Sequence, residues 1–198
     1  MNQIKKLFPA IALMATMSMG QVPALAADIN VIPIPVKVSE QRGEFTLPQN
    51  INIQYNTDEG KAIAGYLANK LKASTGYTVN VGNKKGNVTI SINPKLKMHD
   101  EGYQLQVTAK GVNIKAKTGK GAFYGMQTFL QLLPAEVESA NVVKGVKWVA
   151  QCCNIDDYPR FGYRGFHLDP CRHFITVENV KKQLDLMASL KVNTMHFH

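Results

Sequence analysis

The C-terminal segment constrains the fold most, because strand-like, helix-like and strand-like stretches follow one another there. Tyr163–Leu168 is strand-like, Thr176 can cap a helix, and Val192–His198 is again β-branched and apolar. A strand, a crossover helix and a second strand specify a parallel pair with a right-handed connection. The sequence therefore predicts the first β-α-β unit of a (β/α)8 barrel. The apolar face of the predicted helix comprises Val177, Val180, Leu184, Met187 and Leu190.

Polar residues of this segment are the candidates for a functional site, since barrel enzymes place their sites at the carboxyl ends of the strands. The candidates by position are Arg164, Asp169, His196 and His198. A buried arginine needs either a carboxylate partner or a ligand, so the residues alone leave Arg164 open between a structural ion pair and a binding role.

Two further patterns invite a chemical interpretation. His196 and His198 lie on one face of a strand and could share a metal, although the sequence offers no obvious third ligand. Cys171 lies beside Arg172 and His173, which could depress the pKa of its thiol; an ordinary small residue in a loop is the favoured interpretation.

Residues 28–150 predict a separate α+β domain with a small sheet and two helices on one face. Helical spacing predicts helices over residues 58–73, with Thr57 or Asp58 as the cap, and 119–133, which Pro134 ends. Residues 29–38 carry two prolines and predict an edge strand or an irregular lead-in. Alternation predicts strands at residues 51–55, 77–81, 88–92, 103–107 and 112–116, the last two joined as a hairpin across Lys110-Gly111.

This domain shows no catalytic pattern and is interpreted as an accessory domain. It has no phosphate-binding glycine loop, no paired histidine ligands and no nucleophile elbow. His99 and Asp100 are adjacent but precede a turn, so a solvated loop is expected there. Residues 151–198 are expected to begin the catalytic barrel.

The N-terminus has the features of a secretory signal peptide over residues 1–27. Lys5 and Lys6 precede an apolar stretch, and Ala24-Leu25-Ala26 is a small-residue cleavage pattern. The apolar stretch is short and interrupted, so a transmembrane span is not expected. The mature chain is expected to be periplasmic or secreted.

Charge and cysteine content exclude some classes of protein. The formal net charge is +9, but the lysines are scattered and not clustered with aromatic residues, so no nucleic-acid partner is expected. Three cysteines, two of them adjacent, do not form a disulfide framework.

The residues at the start of the predicted barrel resemble the β-N-acetylhexosaminidases of glycoside hydrolase family 20. Residues 157–174 read DYPRFGYRGFHLDPCRHF, against a family pattern of approximately D-x-P-R-F-x-W-R-G-x-x-L-D-x-x-R-H-F. The ending Asn193–His198 matches the family's H-W-H strand, with Phe197 in place of Trp. Weaker upstream matches fall in the right order at residues 32–35, 102–103, 121–128 and 132–134.

The resemblance implies an exo-acting enzyme that removes terminal β-linked N-acetylglucosamine or N-acetylgalactosamine with retention. The substrate's acetamido oxygen attacks the anomeric carbon, a Glu acts as general acid and base, and an adjacent Asp orients the acetamido group. The resemblance also assigns Arg164 to the sugar hydroxyls of the subsite for the cleaved residue. It makes His196 and His198 wall groups, or groups directly behind the wall, rather than metal ligands, so that no metal and no cofactor are expected. The partners that the resemblance implies for this chain are β-linked N-acetylhexosamine glycans.

The Asp-Glu pair that the resemblance implies lies downstream of the H-W-H strand, and no such pair follows it in this sequence. The 198 residues alone are therefore expected to be inactive, as the N-terminal portion of such an enzyme. The alternative hypothesis is a non-catalytic carbohydrate-binding or interaction module derived from it.

Overall fold

A computed structural model describes residues 29–198. The predicted signal peptide lies outside the described residues. The described chain forms a seven-stranded mixed sheet with two helices, followed by a two-stranded parallel sheet with one helix. The predicted α+β domain and the β-α-β unit after it are both confirmed. None of the helices within residues 29–198 combines the length and apolar character that a membrane span requires.

The seven-stranded sheet mixes parallel and antiparallel pairs. The strands are β1 (Lys37–Thr46), β2 (Asn50–Tyr55), β3 (Thr78–Gly82), β4 (Val88–Ile92), β5 (Tyr103–Thr108), β6 (Gly111–Ala116) and β7 (Val149–Asp157). Their order in the sheet is β1-β7-β5-β6-β4-β2-β3. The neighbours from β3 through β2 and β4 to β6 pair in parallel, and those from β6 through β5 and β7 to β1 pair antiparallel.

Two capped helices cover one face of this sheet. Helix α1 (Asp58–Thr75) is capped by the Thr57 hydroxyl, which accepts the Gly60 N–H, and it ends at Gly76 in the left-handed region. Helix α2 (Gly119–Leu132) is capped by Thr118, and a short 3-10 helix (Ala135–Glu138) follows Pro134. The predicted helices and the Thr57 cap are confirmed.

The core lies between the sheet and these two helices. Alternate residues of each central strand are buried, as in Leu105, Ile114 and Ile90, while Gln104 and Gln106 on the opposite face are exposed. This alternation is the expected signature of a sheet covered on one side only. The opposite face is polar, which is why the sequence shows clean period-two patterns here.

The pair formed by β1 and β7 was missed by the sequence patterns. The predicted lead-in is irregular through Val36, and the strand begins at Lys37. β1 is an exposed edge strand with a register shift between Glu40 and Glu44, so it lacks an apolar period. β7 has two adjacent buried cysteines, which breaks simple alternation. The expected domain boundary at residue 150 falls inside β7, so the α+β domain extends through Asp157.

The C-terminal unit consists of β8 (Gly165–Leu168), α3 (Val177–Ser189) and β9 (Thr194–Phe197). β8 and β9 pair in parallel, with His167 beside His196. The Thr176 hydroxyl accepts the Asn179 N–H and caps α3, as predicted. Most of the predicted apolar face of α3 stays exposed, since Met187 is its one buried residue.

Candidate functional site

The carboxyl ends of β8 and β9 bring Asp169, Cys171, Arg172 and His198 together. The backbone N–H of His198 donates to the Leu168 carbonyl, so the two strands end level with each other. Asp169 follows β8 directly, and its Oδ1 accepts the backbone N–H groups of Cys171 and Arg172 at 3.0 and 3.3 Å. This turn holds the carboxylate in place and turns the chain away from the strand.

Asp169 also has two basic neighbours at this end. Its Oδ2 lies 3.3 Å from Nε of Arg172, and its Oδ1 lies 3.7 Å from Nδ1 of His198. The Arg172 side chain is 86% exposed, so this ion pair holds it only weakly. A guanidinium free to move at the mouth of the strands can donate several N–H groups to a ligand.

Three histidines share one face of the β8–β9 pair. His167 stacks on His196 with ring centroids 4.6 Å apart, and the ring centroid of His198 lies 5.9 Å from that of His167. On the opposite face, Met195 lines a surface depression together with Leu184 and Met187 of α3. A crossover helix packs on the outside of a barrel. The histidines therefore lie on the face that would point to the barrel interior.

Arg164 lies at the other end of β8, before its first residue. Its Nη1 lies 3.0 Å from Oε2 of Glu101, in the loop that precedes β5. Its Nη2 donates to the Tyr124 hydroxyl at 3.0 Å, and its Nε donates to the Lys191 carbonyl at 2.8 Å. The side chains of the ion pair are only 16% and 12% exposed. This guanidinium joins the C-terminal unit to the α+β domain.

A second buried contact joins the same two parts. Nζ of Lys191 lies 3.0 Å from Oδ2 of Asp157 and 2.8 Å from the Tyr103 hydroxyl. The Tyr103 hydroxyl also lies 2.6 Å from Oγ1 of Thr128. Gln131 of α2 adds a third link, because its side-chain amide donates to the Ser189 carbonyl at 3.0 Å.

The charges of this interface shift several pKa values. Burial acts to raise the pKa of Glu101, but the hydrogen bond and charge of Arg164 outweigh it and hold the pKa below its ordinary value. Burial lowers the pKa of Lys191, and Asp157 offsets this only in part. Burial and the Asp157 charge both raise the pKa of Tyr103. Tyr103 therefore stays a neutral hydrogen-bonding group.

A cleft of about 380 Å³ opens beside these contacts. It is bounded by the lead-in at Pro33 and Ile34, by Phe161, and by the Arg164 and Lys191 side chains. Its lining is mainly apolar, and Ile34 and Phe161 are strongly exposed. Since it lies at the amino end of β8, it is at the opposite end of the strand from Asp169, Arg172 and His198.

Two family models account for almost the whole described chain. Residues 28–158 match domain 2 of glycosyl hydrolase family 20, and residues 161–198 match the catalytic domain of that family. The chain belongs to glycosyl hydrolase family 20. The boundary between the two matches follows β7, in agreement with the sheet topology.

Known family members resemble the chain over most of its length. It is 43% identical over 182 residues to a β-hexosaminidase of Porphyromonas gingivalis, covering 90% of this chain and 23% of that protein. The solved N-acetyl-β-hexosaminidase of Streptomyces plicatus matches with a TM-score of 0.81 and 32% identity, covering 87% of this chain and 35% of that one. An exo-β-N-acetylglucosaminidase of Vibrio harveyi matches with a TM-score of 0.75 and 31% identity, covering 89% and 26%. The chain therefore spans about a quarter to a third of these relatives.

The structure separates the residues that the sequence grouped by position. Asp169 and His198 meet at the carboxyl ends of the strands, with His196 beside them, whereas Arg164 lies at the amino end. Its contacts favour the structural ion pair, and sugar binding by Arg164 stays a prediction. Arg172 was missed as a candidate, although the D-x-x-R spacing that places it after the strand was visible. The expected loop at His99 and Asp100 is present. Asp100 is exposed there, and its Oδ1 lies 2.7 Å from Nζ of Lys117.

Proposed function

We propose that this chain is the N-terminal portion of a secreted, exo-acting β-N-acetylhexosaminidase that hydrolyses terminal β-linked N-acetylglucosamine or N-acetylgalactosamine. The observation that carries the proposal is the match of residues 161–198 to the family's catalytic domain. It coincides with a parallel strand–helix–strand unit that ends in polar groups. The relatives named for this activity support the substrate class.

In the proposed mechanism, the substrate's acetamido oxygen attacks the anomeric carbon and displaces the leaving group. A Glu of the family's Asp-Glu pair protonates the oxygen of that leaving group. The residues described here supply the wall of the sugar site rather than the reacting groups. The imidazoles of His167, His196 and His198 would line the interior face, and Asp169 would hold the loop after β8 in position.

Arg172 is the arginine that the geometry favours for the sugar hydroxyls. It follows the carboxyl end of β8, where barrel enzymes bind substrate, and most of its guanidinium is free. Arg164 is the competing candidate from the resemblance, but its N–H groups already donate to protein acceptors. A hydroxyl would have to displace one of them.

A chimera tests the proposal directly. Residues 28–198 would replace the matched segment of the Porphyromonas gingivalis β-hexosaminidase, and hydrolysis of nitrophenyl N-acetylglucosaminide would be measured. We expect the chimera to be active and the 198-residue chain alone to release no nitrophenol. A correctly folded but inactive chimera, or activity of the chain alone, would contradict the proposal.

Two arginine variants of the chimera distinguish the sugar-binding candidates. We expect Arg172→Gln to lower kcat/KM by about 100-fold, with little change in thermal stability. This fold-change corresponds to the roughly 3 kcal/mol that a hydrogen bond from a charged donor contributes. Arg164→Gln should lower the melting temperature and leave kcat/KM of the folded fraction nearly unchanged. The reverse pattern would assign the sugar contact to Arg164.

A further inference from the structure

We propose that Asp169, Cys171 and His198 form a binding site for a zinc-class divalent cation at the carboxyl ends of β8 and β9. Each residue offers one ligand atom, and these atoms all lie within 4.8 Å of one another. They come from a loop and from a strand end that the parallel pairing brings together. The sequence patterns named Asp169, Cys171 and His198 separately, because the loop after β8 and the end of β9 are distant in sequence.

The donor set suits a borderline-soft cation such as Zn²⁺. A thiolate, an imidazole nitrogen and a carboxylate oxygen are the three ligand types that zinc sites use, and a fourth position left to water completes a tetrahedron. A thiolate and a carboxylate supply two negative charges against the two positive charges of the ion, while histidine binds as the neutral base.

The geometry needs only a small adjustment to bind the ion. Bonds of about 2.0–2.3 Å to a tetrahedral Zn²⁺ place ligand atoms roughly 3.3–3.8 Å apart. The Asp169 carboxylate already lies 3.7 Å from Nδ1 of His198. Cys171 Sγ lies 3.6 Å from the His198 carbonyl oxygen, so the thiol is already at this strand end. The thiol and the imidazole are exposed, so side-chain rotation can close the remaining gap.

The backbone around the site is held by hydrogen bonds of its own. The Asp169 carboxylate accepts two N–H groups of its own turn, and the His198 N–H is paired with β8. Arg172 competes with a cation, because its Nε lies 3.3 Å from Oδ2 of Asp169. Its side chain is exposed and can leave at small cost. The proposed substrate-assisted reaction uses no metal, so the cation site goes beyond that reaction. It shares Asp169 and His198 with the proposed sugar site.

Cobalt substitution tests the site on the purified chain. Co²⁺ added to the reduced protein should bind as one equivalent and give a thiolate-to-cobalt charge-transfer band with tetrahedral d–d bands. Cys171→Ser should abolish the charge-transfer band, and His198→Ala should weaken binding about tenfold or more. The matched control is His173→Ala, an exposed histidine two residues from Cys171, which should bind as the unsubstituted chain does. An absent band, or a band that persists in Cys171→Ser, would overturn the proposal.

Alkylation gives a second readout that needs no variant. Cys152 and Cys153 are buried, so iodoacetamide on the folded chain reports on exposed Cys171. Zn²⁺ should protect this thiol and Mg²⁺ should not, because Mg²⁺ prefers oxygen ligands. Arg172→Gln should tighten Zn²⁺ binding by removing the competing cation. Equal alkylation rates with and without Zn²⁺ would refute the site.

Discussion

At the scale of single residues, the buried ion pair of Arg164 and Glu101 should be sensitive to the loss of either partner. Removing one partner leaves the other charge poorly solvated. We expect Arg164→Ala to destabilise the chain by about 3 kcal/mol, and Glu101→Leu by a similar amount. The double variant should lose less free energy of unfolding than the two single variants lose together, because neither charge is left without its partner. Thermal or urea unfolding of the four proteins measures the coupling; additive losses would show that the two side chains do not interact.

The same pair predicts an acid-dependent loss of stability. The pKa of Glu101 is lower in the folded chain than its ordinary value of 4.5. The stabilisation is therefore complete above that ordinary value and is lost as the pH falls through the folded pKa. The stability difference between the unsubstituted chain and Glu101→Gln should shrink steadily over that range. A difference that stays constant from pH 7 to about pH 3 would contradict this assignment.

At the scale of elements, Lys191 at the end of α3 has two roles. Its backbone adopts the positive φ that ends the helix, and its side chain contacts the neighbouring domain. Its φ is 59°, in the left-handed region, and the Val192 N–H donates to the Met187 carbonyl at 2.9 Å. This is the capping pattern in which glycine is usual. A lysine stands here because its ammonium reaches Asp157 and Tyr103 in the neighbouring domain.

Two variants of Lys191 separate these requirements. Lys191→Gly and Lys191→Ala both lose the ammonium, but only glycine adopts a positive φ without strain. We expect the glycine variant to be the more stable by about 1 kcal/mol, with both below the unsubstituted chain. Urea unfolding compares them, and an alanine variant equal to the glycine variant would show that the backbone relaxes.

Helix α2 packs so closely that two of its glycines have no room for a side chain. A Cβ at Gly121 would lie 2.1 Å from the Gly102 carbonyl oxygen, and one at Gly125 would lie 2.7 Å from Ile114. Gly65 of α1 has nothing within 4 Å. We expect Gly121→Ala to destabilise by about 2–3 kcal/mol and Gly65→Ala to stabilise by about 0.5–1 kcal/mol. Equal effects in calorimetry would mean that packing does not distinguish the two helices.

The elements that the sequence predicted are those whose apolar residues have a simple spacing. The central strands and the three α-helices within residues 29–198 follow from this spacing, and Thr57 and Thr176 follow from capping chemistry. β1 and β7 escaped because an exposed edge strand and a pair of adjacent cysteines leave no such period. The pairing of Cys171 with His198, and of Arg164 with Glu101, joins residues distant in sequence. Only the tertiary structure decides such contacts.

At the scale of the whole molecule, residues 29–198 form two parts that should differ in stability. The seven-stranded sheet has a continuous core of buried apolar side chains. The C-terminal unit has two four-residue strands, and Phe174, Val177 and Leu186 stay exposed. A two-stranded sheet is marginally stable alone, so its order depends on the links through Arg164, Lys191 and Gln131.

Hydrogen exchange should therefore show two levels of protection. Amides of β4, β5 and β6 should exchange only by global unfolding, and those of residues 163–198 should exchange through a lower-energy local opening. Lys191→Ala should speed exchange in residues 163–198 and leave β4 to β6 unchanged under native conditions. Ser39→Ala on exposed β1 serves as a control that should change neither. Uniformly slow exchange through residues 163–198 would show instead that the C-terminal unit unfolds together with the sheet, and that its three polar links are as strong as the core.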